Sequence, residues 1–574
     1  MATPSSSANP QPKQKLFGRA FYESIGSPKM VMAPMVDRSE FAWRMLTRSL
    51  VDPKATNPIL TYSPMFHARL FHESEPYRRQ HFEPTRVVKT EGQPNRIEPF
   101  LDGNPEFDRP LFVQFCANDP DDLLKAARLV EPYCDAVDLN LGCPQGIAKK
   151  GHYGAFLQED PGLIFKLINK LHTELSIPVT AKFRILETKE KTLAYARLIL
   201  DAGASIIAVH GRRREQKGHN TGVADWSYIR YLRDNLPPET VIFANGNILN
   251  HGDIQNCLEA TGADAVMSAE GNLSDPSIFC PPPPVQGENR EDMVDHIYWR
   301  GLNGEGGYRL DYILRQYMSI IYTYVVERDE PDRPPVFILK DLQEATTNGK
   351  NHTLAEANHM GKPGVAPAHK SENLGMKSEE TEDSMEPPLK KRKQARGRAT
   401  SPNLCAMQGH LFQLLRHLIT KRTDIRDALA KCGVSNWAQF ENVVRLVDRA
   451  VESAIIEYEE FPEWYNQPLP PKVAAGVQVI KSEESQATSR KYKQPWWVCQ
   501  PYIRPLPEEA LQLGALQLKK KKGQQNQQNQ QGQQGQQQQA SSNSDSPSGN
   551  GTGPVTGIGR GRKIILASDP LVSG

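Results

Sequence analysis

The sequence predicts an α/β protein built on a TIM (β/α)8 barrel, followed by an all-α helical domain, with a disordered insertion and a disordered C-terminal tail. Three observations carry this. From about residue 27 to 280, short β-branched runs alternate with stretches of helical period, as βα units on a parallel sheet require. Eight such runs fit into about 250 residues, the size and strand count of that barrel. Hydrophobic residues are only 38% of the 574, and the deficit sits in residues 1–15, 345–402 and 475–574, so the remainder keeps the composition of an ordinary core.

The expected strands are residues 29–36, 59–64, 111–116, 136–141, 179–185, 206–211, 241–246 and 265–269. Asp119-Pro120, Asp160-Pro161 and Asp275-Pro276 each set an N-capping carboxylate before a proline at the first helical position. Behind the first of these, Leu123, Ala127 and Val130 repeat at helical spacing and make one face that covers the sheet. An open dinucleotide-binding sheet is the main competitor, but no GxGxxG follows the first strand.

Past residues 281–284 the pattern is helical, with Tyr308, Tyr312, Leu314 and Met318 in one segment. Residues 345–402 are rich in Glu, Lys, Asn, Pro and Ser without periodic apolar positions, which predicts a disordered insertion. Helices resume with two apolar stripes, Leu411, Leu414, Leu415 and Leu418, then Phe440, Val443, Val444, Val447 and Val451. Residues 524–539 are almost pure Gln with Gly and Asn and cannot bury enough apolar surface to fold. The expected organisation is an N-terminal extension (1–26), the barrel (27–284), a helical domain in two pieces (285–344 and 403–470) around the insertion, and a mostly disordered tail (471–574) with a Trp-Trp segment near 495–505.

Lys and Arg number 69 against 67 Asp and Glu, a net +2, so global charge gives no warrant for a nucleic-acid partner and only local clusters can. The eight cysteines include no CxxC pair, which argues against a zinc site or a disulfide framework; no metal is expected, and a reducing compartment fits. Residues 1–15 show no continuous apolar stretch or small-residue cleavage site, the absence of Arg before Arg19 weighs against the alternative of a transit peptide, and no run approaches the roughly 18 apolar residues of a membrane span. The expectation is a soluble, intracellular chain with no membrane partner.

In such a barrel, side chains at the C-terminal strand ends face the active-site mouth. Here these ends carry Gln114, Asn140-Leu141-Gly142-Cys143-Pro144, Lys182 with Arg184, His210-Gly211-Arg212 and Asn245-Gly246-Asn247. Strand side chains alternate, so Lys182 and Arg184 share a face; with His210 and Arg212 on the next strand they suit an anionic ligand. A single buried Lys often does no more than neutralise a carboxylate, whereas convergence from five strand ends favours a site. Gly246 and Gly271 follow the seventh and eighth strands, where backbone N–H groups bind phosphate in many barrels, although either alone reads as a turn glycine. Cys143 is either an inert small hydrophobe or a working thiol; Asn140 three residues earlier and the basic mouth support the second, since a thiol near cations can hold or give up a proton near neutral pH.

Met32-Ala33-Pro34-Met35-Val36, Asp138-Leu139-Asn140-Leu141-Gly142-Cys143-Pro144, Ala181-Lys182-Phe183-Arg184, Val209-His210-Gly211-Arg212 and Ala244-Asn245-Gly246-Asn247 together resemble the tRNA-dihydrouridine synthase family across the whole barrel. Cys143-Pro144-Gln145-Gly146-Ile147-Ala148, Ser268-Ala269-Glu270-Gly271-Asn272-Leu273 and the segment Pro495 to Pro505 resemble its eukaryotic branch acting on uridines 16 and 17 of the tRNA D-loop. The resemblance implies flavin mononucleotide (FMN) in the mouth, with its ring near Pro34, Met35, Val36 and Gln114, contacts from Lys182 and His210, and its phosphate near Asn245, Gly246, Asn247, Ala269 and Gly271. It implies NADPH or NADH as reductant and tRNA as partner, and a monomer is favoured. Hydride would pass from flavin N5 to C6 of a flipped-out uracil and a proton from Cys143 to C5, with Asn140, Arg184 and Arg212 on the substrate. One departure is visible: many members carry Arg where this chain has Glu270, so the phosphate would need another cation. Lys149, Lys150, Arg212, Arg213, Arg214 and Arg422 would supply tRNA phosphate contacts. The basic runs 390–393 and 519–522 leave the location as cytoplasmic, nuclear or both. The competing readings are a flavin barrel that reduces a small molecule and a catalytically silent tRNA-binding protein.

Overall fold

The computed structural model describes residues 15–51, 58–90, 94–283, 297–300, 306–338, 401–434, 436–461 and 493–512, and the statements below concern these. Eight parallel strands close into a barrel: β1 (Met30–Met32), β2 (Leu60–His67), β3 (Leu111–Cys116), β4 (Ala136–Leu141), β5 (Val179–Arg184), β6 (Ile206–His210), β7 (Val241–Asn245) and β8 (Ala265–Ser268). Each pairs with its sequence neighbours, and β8 returns to β1. Register sets Asn140 beside Lys182, and Arg184 beside His210 and His210 beside Asn245, so polar residues of four strands gather at two adjacent levels near the C-terminal end. Strand residues are buried on both faces because helices wrap the outside and side chains fill the interior.

The differences from the expected strands have local causes. β1 stops at Met32 because Pro34 has no N–H for the ladder. β2 passes Pro64 by a register shift between Tyr62 and Met65 and continues to His67. Asp119 caps the helix Pro120–Val130 by accepting from the N–H groups of Asp121 and Asp122, and Asp160 caps Pro161–Glu174 by accepting from Leu163. The third capping expectation is corrected. Asp275 accepts from the N–H and hydroxyl of Ser277, but only a turn follows, because residues 281–284 are prolines and leave no room for a helix.

A helix at Gly18–Ser24 closes the N-terminal end of the barrel, where the Tyr22 hydroxyl donates to the carbonyls of Pro28 and Asp264 and Arg19 pairs with Asp264. An antiparallel hairpin, Thr85–Val88 with Arg96–Pro99, was not expected. Along the helix Phe41–Ser49, fully buried Arg44 donates to Asp102 and Asp108, and Arg48 reaches Asp108 and the Pro110 carbonyl just before β3. Gly103 turns beside this network at φ +71°, where a Cβ would lie 1.9 Å from the Tyr133 carbonyl oxygen.

The helical region comprises Leu310–Ile320, Pro402–Leu414, Arg416–Lys421, Thr423–Lys431 and Trp437–Glu460. Both apolar stripes are buried. Arg315 pairs with Asp448 and Arg333 with Glu441, tying the pieces on either side of residues 339–400. The region docks on the barrel helix Phe41–Ser49: Trp43 stacks on His410 at 4.1 Å, His410 Nε2 meets Glu40 at 2.8 Å, and the Asn403 amide oxygen accepts from the N–H of Ala42. The Trp-Trp segment of the expected tail is ordered here: Trp497 is fully buried, its carbonyl accepts from Leu310, and Cys499 donates to the Tyr308 carbonyl. Residues 345–400, both basic runs and residues 524–539 lie outside the described residues. Among the described residues no helix is long and apolar enough to cross a membrane, and all eight cysteines are free thiols.

Candidate active site at the C-terminal end of the barrel

A chain of buried hydrogen bonds builds the loop after β4. Thr180 and Gln114 donate to the two carboxylate oxygens of Asp138 at 2.6 and 2.8 Å. Asn140 donates to the Gln114 amide oxygen at 2.8 Å, and its own oxygen accepts from the N–H groups of Gly142 and Cys143 at 3.1 and 2.9 Å. Asn140 therefore shapes the turn that carries the thiol, and Gln114 holds Asn140. Burial pushes the Asp138 carboxyl up to about 6, against the bonds from Thr180 and Gln114.

Cys143 is 2% exposed and packs with Cys116, Ala148 and Tyr153, flanked by Met65 and Phe156. Burial raises its thiol above the usual range; the Gln145 N–H and then Arg184, Lys182 and Lys217 pull the other way and lose. The expected lowering by the basic mouth is thus outweighed by desolvation, and the thiol stays protonated at neutral pH. Lys217, from the loop after β6, donates to the Pro144 carbonyl and clasps the cysteine loop from outside.

The cations converge as the strand register requires. Lys182 makes no hydrogen bond among the described residues, and burial, then the Arg184 charge, brings its ammonium down to about 7. Arg184 donates to the carbonyls of Gly142 and Arg213, and burial with the Arg212 charge lowers it to about 10. Arg212 donates to His210 Nε2 at 3.1 Å, to the Asn247 amide oxygen at 2.9 Å and to the Gly222 carbonyl. Burial, then the charges of Arg184, Lys182 and Arg212, keeps His210 neutral, and the bond at Nε2 assigns its proton to Nδ1.

Three buried polar atoms on adjacent strand ends have no partner among the described residues: His210 Nδ1, Asn245 Oδ1 and Ser268 Oγ. Such atoms are costly unless a ligand satisfies them. Gly246 sits at φ +116°, and a Cβ there would lie 2.6 Å from Ala224 Cβ and 3.2 Å from the His210 ring. Asn247 holds the turn through both backbone groups of Ala224. A Gly271 Cβ would meet the Ile248 carbonyl oxygen at 2.2 Å, so packing already requires that glycine. Ala269 is buried beside it. Pro34 and Met35 are buried and Val36 is half-buried at the end of β1, with the Met35 backbone held by Ser39. Apolar residues that follow β1, an ammonium without a hydrogen bond and unpartnered polar atoms from three strands together fit FMN.

Lys149, Lys150 and Arg213 are exposed around the mouth, whereas Arg214 is paired with Glu159 and Glu215 and Arg422 with Asp424. Two residues escaped the sequence reading. Nothing in the spacing marked Lys217. Arg504, in the segment after Trp497, grips Glu270 with bonds of 2.7 to 3.2 Å across 234 positions of sequence.

The family model described as Dihydrouridine synthase (Dus) matches residues 31–296. The chain is 41% identical over 495 residues to a Schizosaccharomyces pombe protein named tRNA-dihydrouridine(16/17) synthase, covering 86% of this chain and 92% of that one. A Saccharomyces cerevisiae protein of the same name is 40% identical over 503 residues, covering 87% and 89%. A Mus musculus protein named as similar to these synthases is 43% identical over 286 residues, or 49% of this chain and 54% of that one.

Proposed function

The chain belongs to the dihydrouridine synthase family, and from that premise we propose that it reduces the C5=C6 bond of uridine in tRNA, at positions 16 and 17 of the D-loop, with FMN as its bound cofactor and NADPH or NADH as reductant. When bound, reduced flavin supplies the hydride that reaches C6. The remaining chemistry falls to the protein. Cys143 keeps its thiol proton because it is buried, and it delivers that proton to C5. Its thiolate then forms among Lys182, Arg184 and Lys217, whose charges favour it once the proton has left. Asn140 fixes the turn that aims the sulfur and carries an amide toward the uracil edge, while Arg184 and Arg212 face substrate carbonyl or phosphate oxygens. Lys182 and His210 contact the flavin, Pro34, Met35, Val36 and Gln114 flank its ring, and Asn245, Gly246, Asn247, Ala269 and Gly271 surround its phosphate.

The observation that carries this reading is the position of Cys143, buried on the loop that Asn140 shapes after β4, next to the strand ends that bear Lys182, Arg184 and His210. Cys143 is 2% exposed, so a uracil reaches its thiol only with rearrangement of the side chains packed on it. Exposed Lys149, Lys150 and Arg213 support a polyanionic substrate over a small molecule. The test is Cys143→Ala in the full chain. It should still bind FMN yet lose dihydrouridine formation on unmodified tRNA by a factor of about 100 or more. Undiminished turnover in that variant would remove the thiol from the mechanism. Cells lacking the protein should lose dihydrouridine at D-loop positions 16 and 17.

A further inference from the structure

Residues 493–512 run from the helical region to the barrel mouth and are tied down along the way. Trp497 is buried, the Pro501 carbonyl meets His417 Nε2 at 3.2 Å, and the Arg416 guanidinium lies 3.4 Å over the Tyr502 ring. Arg504 then grips Glu270 through Nε and a terminal nitrogen, and the helix Pro507–Gln512 passes beside residues 218–220 of the loop after β6. Glu270 directly follows Ala269 at the end of β8. Arg212, on the loop that follows β6, feels both the Glu270 carboxylate and the Arg504 charge.

This arrangement has an electrostatic consequence. A bare carboxylate at the rim would repel an anion, but Arg504 neutralises it, and Arg212 then leaves the cluster with a net positive charge. Beside the cluster, unpartnered and buried Ser268 Oγ lies 2.9 Å from where a Gly271 Cβ would stand. A hydroxyl donor beside a rim of net positive charge suits a phosphate monoester. We propose that Arg504, held in place by Glu270, is the cationic residue of a site for the phosphate of FMN, and that Arg212 adds its charge there without a direct contact. The C-terminal segment is then part of the cofactor site, although more than 230 residues separate it from β8. This rests on the flavin reading above.

The test uses the full-length protein stripped of flavin and titrated with FMN and, separately, with riboflavin, which lacks the phosphate; flavin fluorescence reports binding. The wild type should prefer FMN. In Arg504→Ala the Kd for FMN should rise about tenfold while that for riboflavin stays unchanged. Arg504→Lys, which keeps the charge but not the two-armed grip, should recover part of the preference, and it serves as the probe if the alanine variant does not fold. Equal weakening of both flavins would assign Arg504 a packing role and overturn the proposal. An intact FMN preference would overturn it too, and if tRNA binding at low salt fell instead, the guanidinium would belong to RNA phosphate. A wild type that binds neither flavin would fail the cofactor reading itself, an outcome distinct from either variant result.

Discussion

Lys182 is the residue at which function and stability conflict most directly. Its ammonium is buried, without a hydrogen bond among the described residues, and falls from 10.5 to about 7. At 1.36 kcal/mol per pKa unit this drop makes the buried ammonium about 5 kcal/mol less favourable than a solvated one. Partial deprotonation at pH 7 relieves only a small part, leaving a penalty of about 4 kcal/mol. Lys182→Met, of similar length and without charge, should therefore make the flavin-free protein more stable at pH 7 by up to about 4 kcal/mol, while abolishing turnover. The pH dependence carries the sign. The unfolded chain keeps the lysine protonated up to 10.5 and the folded chain only to about 7, so unfolding takes up a proton between these values. The penalty is complete below about pH 7 and fades as pH rises. The advantage of the variant should thus shrink by about 1.4 kcal/mol per pH unit above 7. Thermal melts of both flavin-free proteins at pH 7, 8 and 9 would measure it. A variant less stable than the wild type at pH 7, or an advantage that does not change with pH, would refute the reasoning.

Other perturbations probe the scaffold. Asp108→Asn leaves buried Arg44 with Asp102 as its remaining carboxylate and should destabilise the barrel by about 3–5 kcal/mol; a urea midpoint equal to that of the wild type would contradict the role given to the network. Trp497→Ala should cost about 3–5 kcal/mol and release residues 493–506, seen as new protease cleavage there, and continued protection would show that the ring is not the anchor. Gly103→Ala sets a methyl against the Tyr133 carbonyl at a positive φ, so its soluble yield should collapse, and normal expression would disprove that account.

The barrel was legible because each strand is a short β-branched run whose two buried faces leave little freedom of interpretation, and the ends missed were those where Pro34 and Pro64 alter the ladder. The hairpin Thr85–Val88 with Arg96–Pro99 escaped because it is short and largely exposed, so no hydrophobic pattern announces it. Asp275-Pro276 misled because a cap and a proline describe a helix start only when enough chain follows. At the site, Lys182, Arg184 and His210 were legible from strand alternation. The reason Cys143 keeps its proton was not, because it depends on how burial weighs against charge. The Arg504–Glu270 pair was also hidden, since a contact between such distant positions leaves no trace in local spacing.

The stack of Trp43 on His410, with the two arginine pairs that tie Leu310–Ile320 and residue 333 to Trp437–Glu460, makes the link across residues 339–400 mechanically redundant. A polypeptide cut once within that stretch would remain a single particle, its halves clamped by aromatic overlap and opposite charges.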